Sequence, residues 1–318
     1  MGALVALQFA LQFVARSHLL GGDLAAAAEA IAEEYAIAEA TGASPVAYAD
    51  MTLAAWRGQE ARAIELMERQ MAQSNTRGLG RMTHFASYTA AVLNNGIGRY
   101  DAALEAAQRA FEREQIGYMV FVIPELAEAA SRIGEPAVLE TAQAWMAERT
   151  AHTTSDWALG MEARVRALAS GDERCFRESV ERLGRTRLRL EVARAQLLYG
   201  EWLRREGRRV DAREQLRVAR EGFLAAGADG FAERARHELL ATGEKVRKRR
   251  DDTRDELTPQ EQHIARLARE GMTNPQIGAE LFLSPRTVEW HLKKVFAKLG
   301  ITSRRALRDA LPQELAAL

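Results

Sequence analysis

One glycine keeps returning along the first three quarters of this chain. Gly22, Gly58, Gly98, Gly134, Gly171 and Gly207 follow one another at steps of 36, 40, 36, 37 and 36 residues. Each closes one amphipathic helical stretch and opens the next, as in GDLAAAAEAI after Gly22 and GRYDAALEAA after Gly98. Five positions after these glycines stand Ala27, Ala63, Ala103, Leu139, Phe176 and Ala212. Alanine at four of them lets two helices approach closely. A period in the mid-thirties with two helices per unit predicts a helical solenoid, because one helical pair cannot bury its apolar face alone. No alternating run of Val, Ile and Thr points to a sheet.

The copy Gly98-x-Tyr100-x-x-Ala103, with Ala107 and Ala110 further along the same helix, resembles a tetratricopeptide repeat. The other copies are degenerate, and those at Gly134 and Gly171 lack both the Tyr and the Ala. Leu and Phe, with Trp56, Trp145, Trp157 and Trp202, are expected to fill the core between repeats. The curved inner surface of such a stack would form a groove for a protein, a peptide or a small effector. Nothing in the sequence chooses among these.

Residues 1–15, MGALVALQFALQFVA, are apolar enough to suggest a signal peptide, but no Lys or Arg precedes the run. Gln8 and Gln12 lie four apart and put a polar stripe on an otherwise apolar helix. The expectation is a buried helix. No stretch reaches the 18 apolar residues of a membrane span, so a cytoplasmic protein with no membrane contact is expected. The chain opens in mid-helix without a capping residue, as the tail of a longer protein or a product of internal initiation would. The single cysteine, Cys175, rules out an internal disulfide framework and disfavours a cysteine-based zinc site.

Residues 243–256, GEKVRKRRDDTRDE, break the pattern. Lys245, Arg247, Lys248, Arg249 and Arg250 place five positive charges in six residues with almost nothing apolar, so a mobile tether is expected. It also divides the charge. The whole chain is neutral, with 44 basic and 44 acidic residues, whereas residues 245–318 carry 15 basic and 10 acidic ones. A basic arm of this kind either holds DNA phosphates without sequence preference or is simply a solvated linker.

The last sixty residues carry the clearest chemistry. Thr258-Pro259-Gln260-Glu261 reads as a capping box with proline at the first helical position. That helix runs through Ile264, Leu267 and Ala268 to Gly271. Thr273 opens a short helix with Ile277 and Leu281 inward, and Phe282-Leu283 make a turn. Ser284 caps a third helix whose Val288, Leu292, Val295 and Leu299 form one apolar stripe. Ser303 is expected to cap a short fourth helix containing Leu307 and Leu311. Two short helices, a tight turn and a third helix with an apolar stripe fit a helix-turn-helix.

The segment LTPQEQHIARLAREGMTNPQIGAELFLSPRTVEWHLKKVFAKLGITSR resembles the DNA-binding domain of LuxR-type transcription regulators. Gly271, Asn274 and Ile277, the SxxTV start and the HxxxVxxKLG tail fall in register. Gly278 departs from the family, which usually has a better helix former there, and should soften the second helix. The repeats in front are similar to the C-terminal repeat region of the large ATP-binding LuxR regulators. The P-loop pattern G-x-x-x-x-G-K-[ST] of that group occurs nowhere in this chain, so no ATP-driven switch is expected in it. No strand pattern precedes the linker, which disfavours phosphorelay control as well.

The third helix presents Arg286, Glu289, Trp290 and Lys293 opposite its apolar stripe. By position in the family motif, Glu289, Trp290 and Lys293 are the base-reading candidates: Lys293 donates to guanine, Glu289 accepts from cytosine N4 or merely repels phosphate, and Trp290 packs on a thymine methyl or on its own helix. Candidate phosphate contacts are Arg286, Thr287, Lys294 and Lys298, with Asn274 and Arg304, and the free N–H groups after Ser284. Half-sites on double-stranded DNA would be met by a homodimer paired through residues 303–311, with Leu307, Ala310 and Leu311 as its apolar patch or as part of the domain's own core. His263 and His291 have no ligand partner at useful spacing. No metal or cofactor is expected, and no nucleophile elbow, HExxH or phosphate loop suggests an enzyme.

The expected fold is therefore all-α: a tetratricopeptide-like helical solenoid over 1–242, a basic flexible linker over 243–256, and a small four-helix LuxR-type helix-turn-helix domain over 257–318. The expected function is a DNA-binding transcription regulator whose repeats bind a partner or effector. The competing reading is an interaction adaptor with weak or vestigial DNA binding.

Overall fold

The computed structural model describes residues 2–77, 80–112, 119–244, 259–281, 283–299 and 301–310. Every regular element among them is helical, and the chain divides into two compact units, Met1–Lys245 and Val246–Leu318. The basic stretch from Lys245 to Asp255, and Thr258 of the expected capping box, lie outside the described residues.

Among the described residues the first unit is six helical hairpins and a closing helix. The hairpins pair α1 (Gly2–Gly21) with α2 (Leu24–Thr41), α3 (Tyr48–Trp56) with α4 (Glu60–Arg77), and α5 (Gly80–Gly96) with α6 (Tyr100–Phe111). They continue as α7 (Met119–Ile133) with α8 (Pro136–Thr150), α9 (Asp156–Ser170) with α10 (Glu173–Gly184), and α11 (Arg189–Arg205) with α12 (Arg209–Ala226). Helix α13 (Asp229–Ala241) follows. All six recurring glycines sit at the turn inside a hairpin, and all six have positive φ. At Gly98, with φ 77°, the N–H of Arg99 reaches back to the carbonyl of Asn94 at 2.8 Å. That bond closes a left-handed helix end which glycine adopts without steric cost. The alanines at positions 27, 63, 103 and 212 are fully buried.

The odd-numbered helices form the inner layer, and they meet one another across it. α1 packs on α11, and α13 packs on α3 and α5. Phe231 of α13 is fully buried against Trp56 (4.7 Å between ring centroids) and Phe223 (5.3 Å). The backbones at Gly58 and Gly230 approach so closely that a Cβ on Gly58 would stand 2.8 Å from the Cα of Gly230. That approach joins the end of the unit to its first half, and beside it lies an open pocket of about 640 Å³ lined by Arg57, Gly96, Tyr100, Asp229, Arg234 and His237. A smaller space of about 30 Å³ lies between Trp56, Phe85, Tyr88, Phe121 and Glu191, which is room for water.

The inner layer is also charged. Arg194 of α11, with no exposed side-chain surface, donates to Glu125 and, at 2.9 Å through Nε, to Glu128 of α7. Arg234 of α13 donates to Glu128, to Glu201 of α11 (2.8 Å) and to the carbonyl of Asn95 of α5 (2.9 Å). Arg132 donates to Glu201 as well. Burial alone would raise the pKa of Glu128, but Arg194 and Arg234 outweigh it and hold the carboxyl well below the usual carboxylate range. A depressed carboxylate contributes stability that is complete above its unfolded value of about 4.3 and is lost as pH falls below it. The urea midpoint should thus be nearly flat from pH 7 to about 5 and drop steeply below about 4, and Glu128→Gln should flatten that drop.

Helix α1 corrects one expectation. The helix is present, but its polar stripe is the buried one. Gln8 donates to Glu34 (2.6 Å) and to the carbonyl of Ser44, and Gln12 accepts the N–H of Ala49 (3.1 Å). Leu4, Leu7, Phe9, Phe13 and Val14 face outward. The glutamines are buried because the α2–α3 connection brings backbone groups and a carboxylate that need partners, and an apolar side chain there would leave them unpaired.

Candidate nucleic-acid interface

Among the described residues the second unit has three longer helices, α14 (Pro259–Arg269), α15 (Asn274–Leu281) and α16 (Pro285–Leu299). A 3₁₀ turn over Arg304–Ala306 leads into α17 (Leu307–Ala310). Ile264, Ala265, Ile277, Val288, Val295 and Leu307 are buried together, with Leu292 beside them and Leu281 and Leu299 at the edge. The expected stripe of α16 is thus its inner face.

Local sequence explains how the helices start. Ser284 Oγ accepts the N–H of Thr287 at 3.1 Å and lies 2.7 Å from the Thr287 hydroxyl, capping α16 ahead of Pro285. At α15 the Thr273 N–H and hydroxyl both donate to Gln276 Oε1 at 2.8 Å. Gln276 was not among the expected capping residues, although the T-x-x-Q spacing carries the signal. Ser303 makes no side-chain cap, and the fourth element begins as a 3₁₀ turn.

Gly278 is buried and is not merely a weak helix former. A Cβ there would lie 2.5 Å from the carbonyl oxygen of Leu283, while the Leu283 N–H donates to the Gly278 carbonyl at 2.8 Å. The glycine lets the end of α15 and the turn into α16 share one space. Gly278→Val should cost this unit roughly 2–3 kcal/mol through forced backbone displacement, read as a lower melting temperature of residues 246–318 with the first unit's transition unmoved.

The outer face of α16 carries Arg286, Glu289, Trp290, Lys293 and Lys294, all exposed. Lys293 Nζ lies 3.0 Å from Glu289, one helical turn earlier. Lys294 Nζ stands 3.7 Å over the Trp290 ring, which is half exposed. The three base-reading candidates therefore share one face, two of them as an ion pair exposed enough to exchange partners at little cost. Ser284, Arg286 and Thr287 cluster at the start of α16. The side chain of Lys298 lies outside the described residues.

The Arg304 guanidinium donates to Asn274 Oδ1 at 2.7 Å, to the Met272 carbonyl and to the Ala268 carbonyl at 3.4 Å, and burial lowers its pKa. It bridges the end of α14 and the start of α15. Two residues expected at phosphates are thus bonded to each other, a pairing over 30 positions that no local pattern contains. Of the expected pairing patch, Leu307 is fully buried in the unit's own core and Ala310 is half-buried. Leu311 lies outside the described residues.

A capped helix with an apolar inner face and a charged, aromatic outer face, preceded by a tight turn and a short helix, defines a helix-turn-helix domain. Residues 255–310 match the family described as bacterial regulatory proteins, luxR family, and the C-terminal unit is a LuxR-type domain. The chain is 44% identical over 92 residues to an HTH-type transcriptional regulator of Mycobacterium tuberculosis, covering 28% of this chain and 10% of that protein. It is 38% identical over 74 residues to the HTH-type transcriptional regulator AlkS of Alcanivorax borkumensis, covering 21% and 8%. A nitrate/nitrite response regulator homologue of Haemophilus influenzae is 39% identical over 56 residues, covering 18% and 27%. The first of these matches spans about a tenth of the relative's length. No solved structure matches the chain. No helix among the described residues is long and apolar enough to cross a membrane.

Proposed function

We propose that the chain is a DNA-binding transcription regulator in which α16 enters the major groove and the helical-hairpin unit receives a partner or effector. The reading is carried by the outer face of α16, where Glu289, Trp290 and Lys293 lie together opposite the buried Val288, Leu292 and Val295. In this reading Lys293 leaves Glu289 to donate to guanine O6 or N7, Glu289 accepts from cytosine N4, and Trp290 packs on a thymine methyl. Ser284, Arg286, Thr287, Lys294 and Lys298 hold phosphates and set the register. Arg304 and Asn274, bonded to each other, are further candidates for a phosphate contact.

The test is fluorescence anisotropy of the full chain on promoter duplexes and a scrambled control across a salt series. Preference for one duplex, with affinity falling steeply as salt rises, is expected. Lys293→Ala should weaken the preferred duplex roughly five- to 150-fold and the scrambled one far less. Glu289→Ala should bind scrambled DNA more tightly while losing preference, because it removes an acid facing phosphates along with a base contact. Equal weak binding to every duplex would overturn the reading and leave the adaptor.

A further inference from the structure

Helix α1 carries an apolar face that is open to solvent. Its inner side packs on α2, α3 and α11. Its outer side shows Ala6, Leu7, Phe9, Ala10, Phe13 and Val14, all exposed, with Phe13 at 71% and Phe9 at 53%. No charged residue occurs before Arg16. Ser17 ends the face, and its hydroxyl donates back to the Phe13 carbonyl at 2.9 Å. No side chain of the face therefore depends on water for a hydrogen bond.

The face has relief as well as polarity. Phe9 and Phe13, one helical turn apart, form a ridge. Ala6 and Ala10, also one turn apart, form a furrow beside it, and Leu7 and Val14 bound the furrow on its far side. A helix with a ridge and a furrow of the same spacing on one face is complementary to itself: turned about a two-fold axis, each Phe ridge lies over the other copy's Ala furrow. The absence of charge means that like charges do not meet across such an axis. The exposed area of these six side chains is roughly 500 Å², so a pair buries on the order of 1,000 Å², where specific interfaces begin. A contiguous apolar patch of that size marks an interaction site. Lipid is the poorer occupant. A helix lying in a membrane surface turns a basic side to the headgroups, whereas the opposite side of α1 is packed inside its own unit.

We propose that the outer face of α1 is a homodimer interface, in which two copies of the chain pair their α1 helices about a two-fold axis close to Ala10. The area is that of a weak, concentration-dependent dimer. The resulting assembly carries two copies of the DNA-binding unit. Residues 303–311, where pairing is expected from the sequence, offer less apolar surface, because Leu307 is buried in its own unit's core. The pairing stands on the relief and chemistry of α1 and does not rest on the DNA-binding reading.

The test is sedimentation equilibrium of the full chain from about 1 to 200 µM. A reversible monomer–dimer equilibrium is expected, half converted by about 50 µM. Phe9→Glu together with Phe13→Glu places four carboxylates in the paired face and should raise the dissociation constant at least a hundredfold. Both positions are exposed in the single copy, so the variant's melting temperature at 1 µM should stay within about 2 °C of the parent's. The position of the axis is read with a short bis-maleimide linker. Ala10→Cys should be joined to its counterpart as a dimer. The parent, whose one cysteine, Cys175, is buried, should not be, and neither should Glu140→Cys on α8. A parent that stays monomeric at 200 µM, whether or not it binds phosphatidylcholine vesicles, would overturn the interface. So would a double variant that pairs as tightly as the parent. DNA binding is measured separately, so either failure leaves the α16 reading standing.

Discussion

Arg194→Met should cost the first unit roughly 3–5 kcal/mol, the usual penalty for removing one partner of a buried ionic group. Arg194 touches Glu125 and Glu128 directly, and its guanidinium lies 4.9 Å from the centre of the Phe231 ring. Methionine fills part of the space but leaves the buried Glu128 to Arg234 and the buried Glu125 to the Asn95 amide. Truncation is harmful because of those abandoned charges, not because ion pairs are strong in themselves. A test follows from that cause. Carboxylates stripped of a cation are protonated more readily, so the variant's deficit should shrink between pH 7 and pH 5 while the parent barely changes. Urea unfolding at both pH values measures it. A deficit below about 1 kcal/mol at pH 7, or one independent of pH, would mean that water reaches the cluster and solvates the acids.

Phe231→Ala should be comparably damaging, roughly 3–5 kcal/mol if the whole unit unfolds together. The ring is fully buried between Trp56 of α3 and Phe223 of α12. A Cβ at Gly96 of α5 would meet it at 2.9 Å. The side chain therefore joins the last helix to helices far earlier in the chain. Its loss leaves a cavity that Gly96 and Gly58, having no side chains, cannot fill. Because α13 is the last element of the unit, part of the loss should appear as local opening. Amide exchange across α13 should accelerate by at least tenfold, while α8, which touches neither aromatic ring, keeps its protection. Uniform acceleration through the unit would mean instead that α13 opens only with the rest.

Much of the architecture was legible because it is local. A glycine with positive φ every 36 residues or so is a requirement of the backbone at that residue, and all six recurring glycines meet it. The cap at Ser284 and the stripe of Val288, Leu292 and Val295 depend on neighbours three and four positions apart, and they stand as the sequence predicts. The exposed face of α16 follows from the same periodicity. By propensity, which sees only its own helix, Gly278 is a helix defect. The approach of Leu283 to that position makes it a requirement of the turn.

The inner layer was not legible, for a physical reason. Arg194 meets Glu125 across 69 positions, Arg234 meets Glu128 across 106, and Arg234 meets the Asn95 carbonyl across 139. Such pairs depend on the small rotation from each hairpin to the next, summed over several repeats, and no short window of sequence contains that sum. Glu125, Glu128, Arg194, Glu201 and Arg234 are thereby brought into the core. The same accumulation brings α13 onto α3 and α5. At the N-terminus, it is the packing of α1 on α2 and α3 that turns the glutamines inward and leaves the phenylalanines facing out. Helix boundaries, turns and the reading face of α16 thus follow from near neighbours in the chain. Which charges and polar groups are buried, and what space remains between the hairpins, follows only from how the hairpins stack.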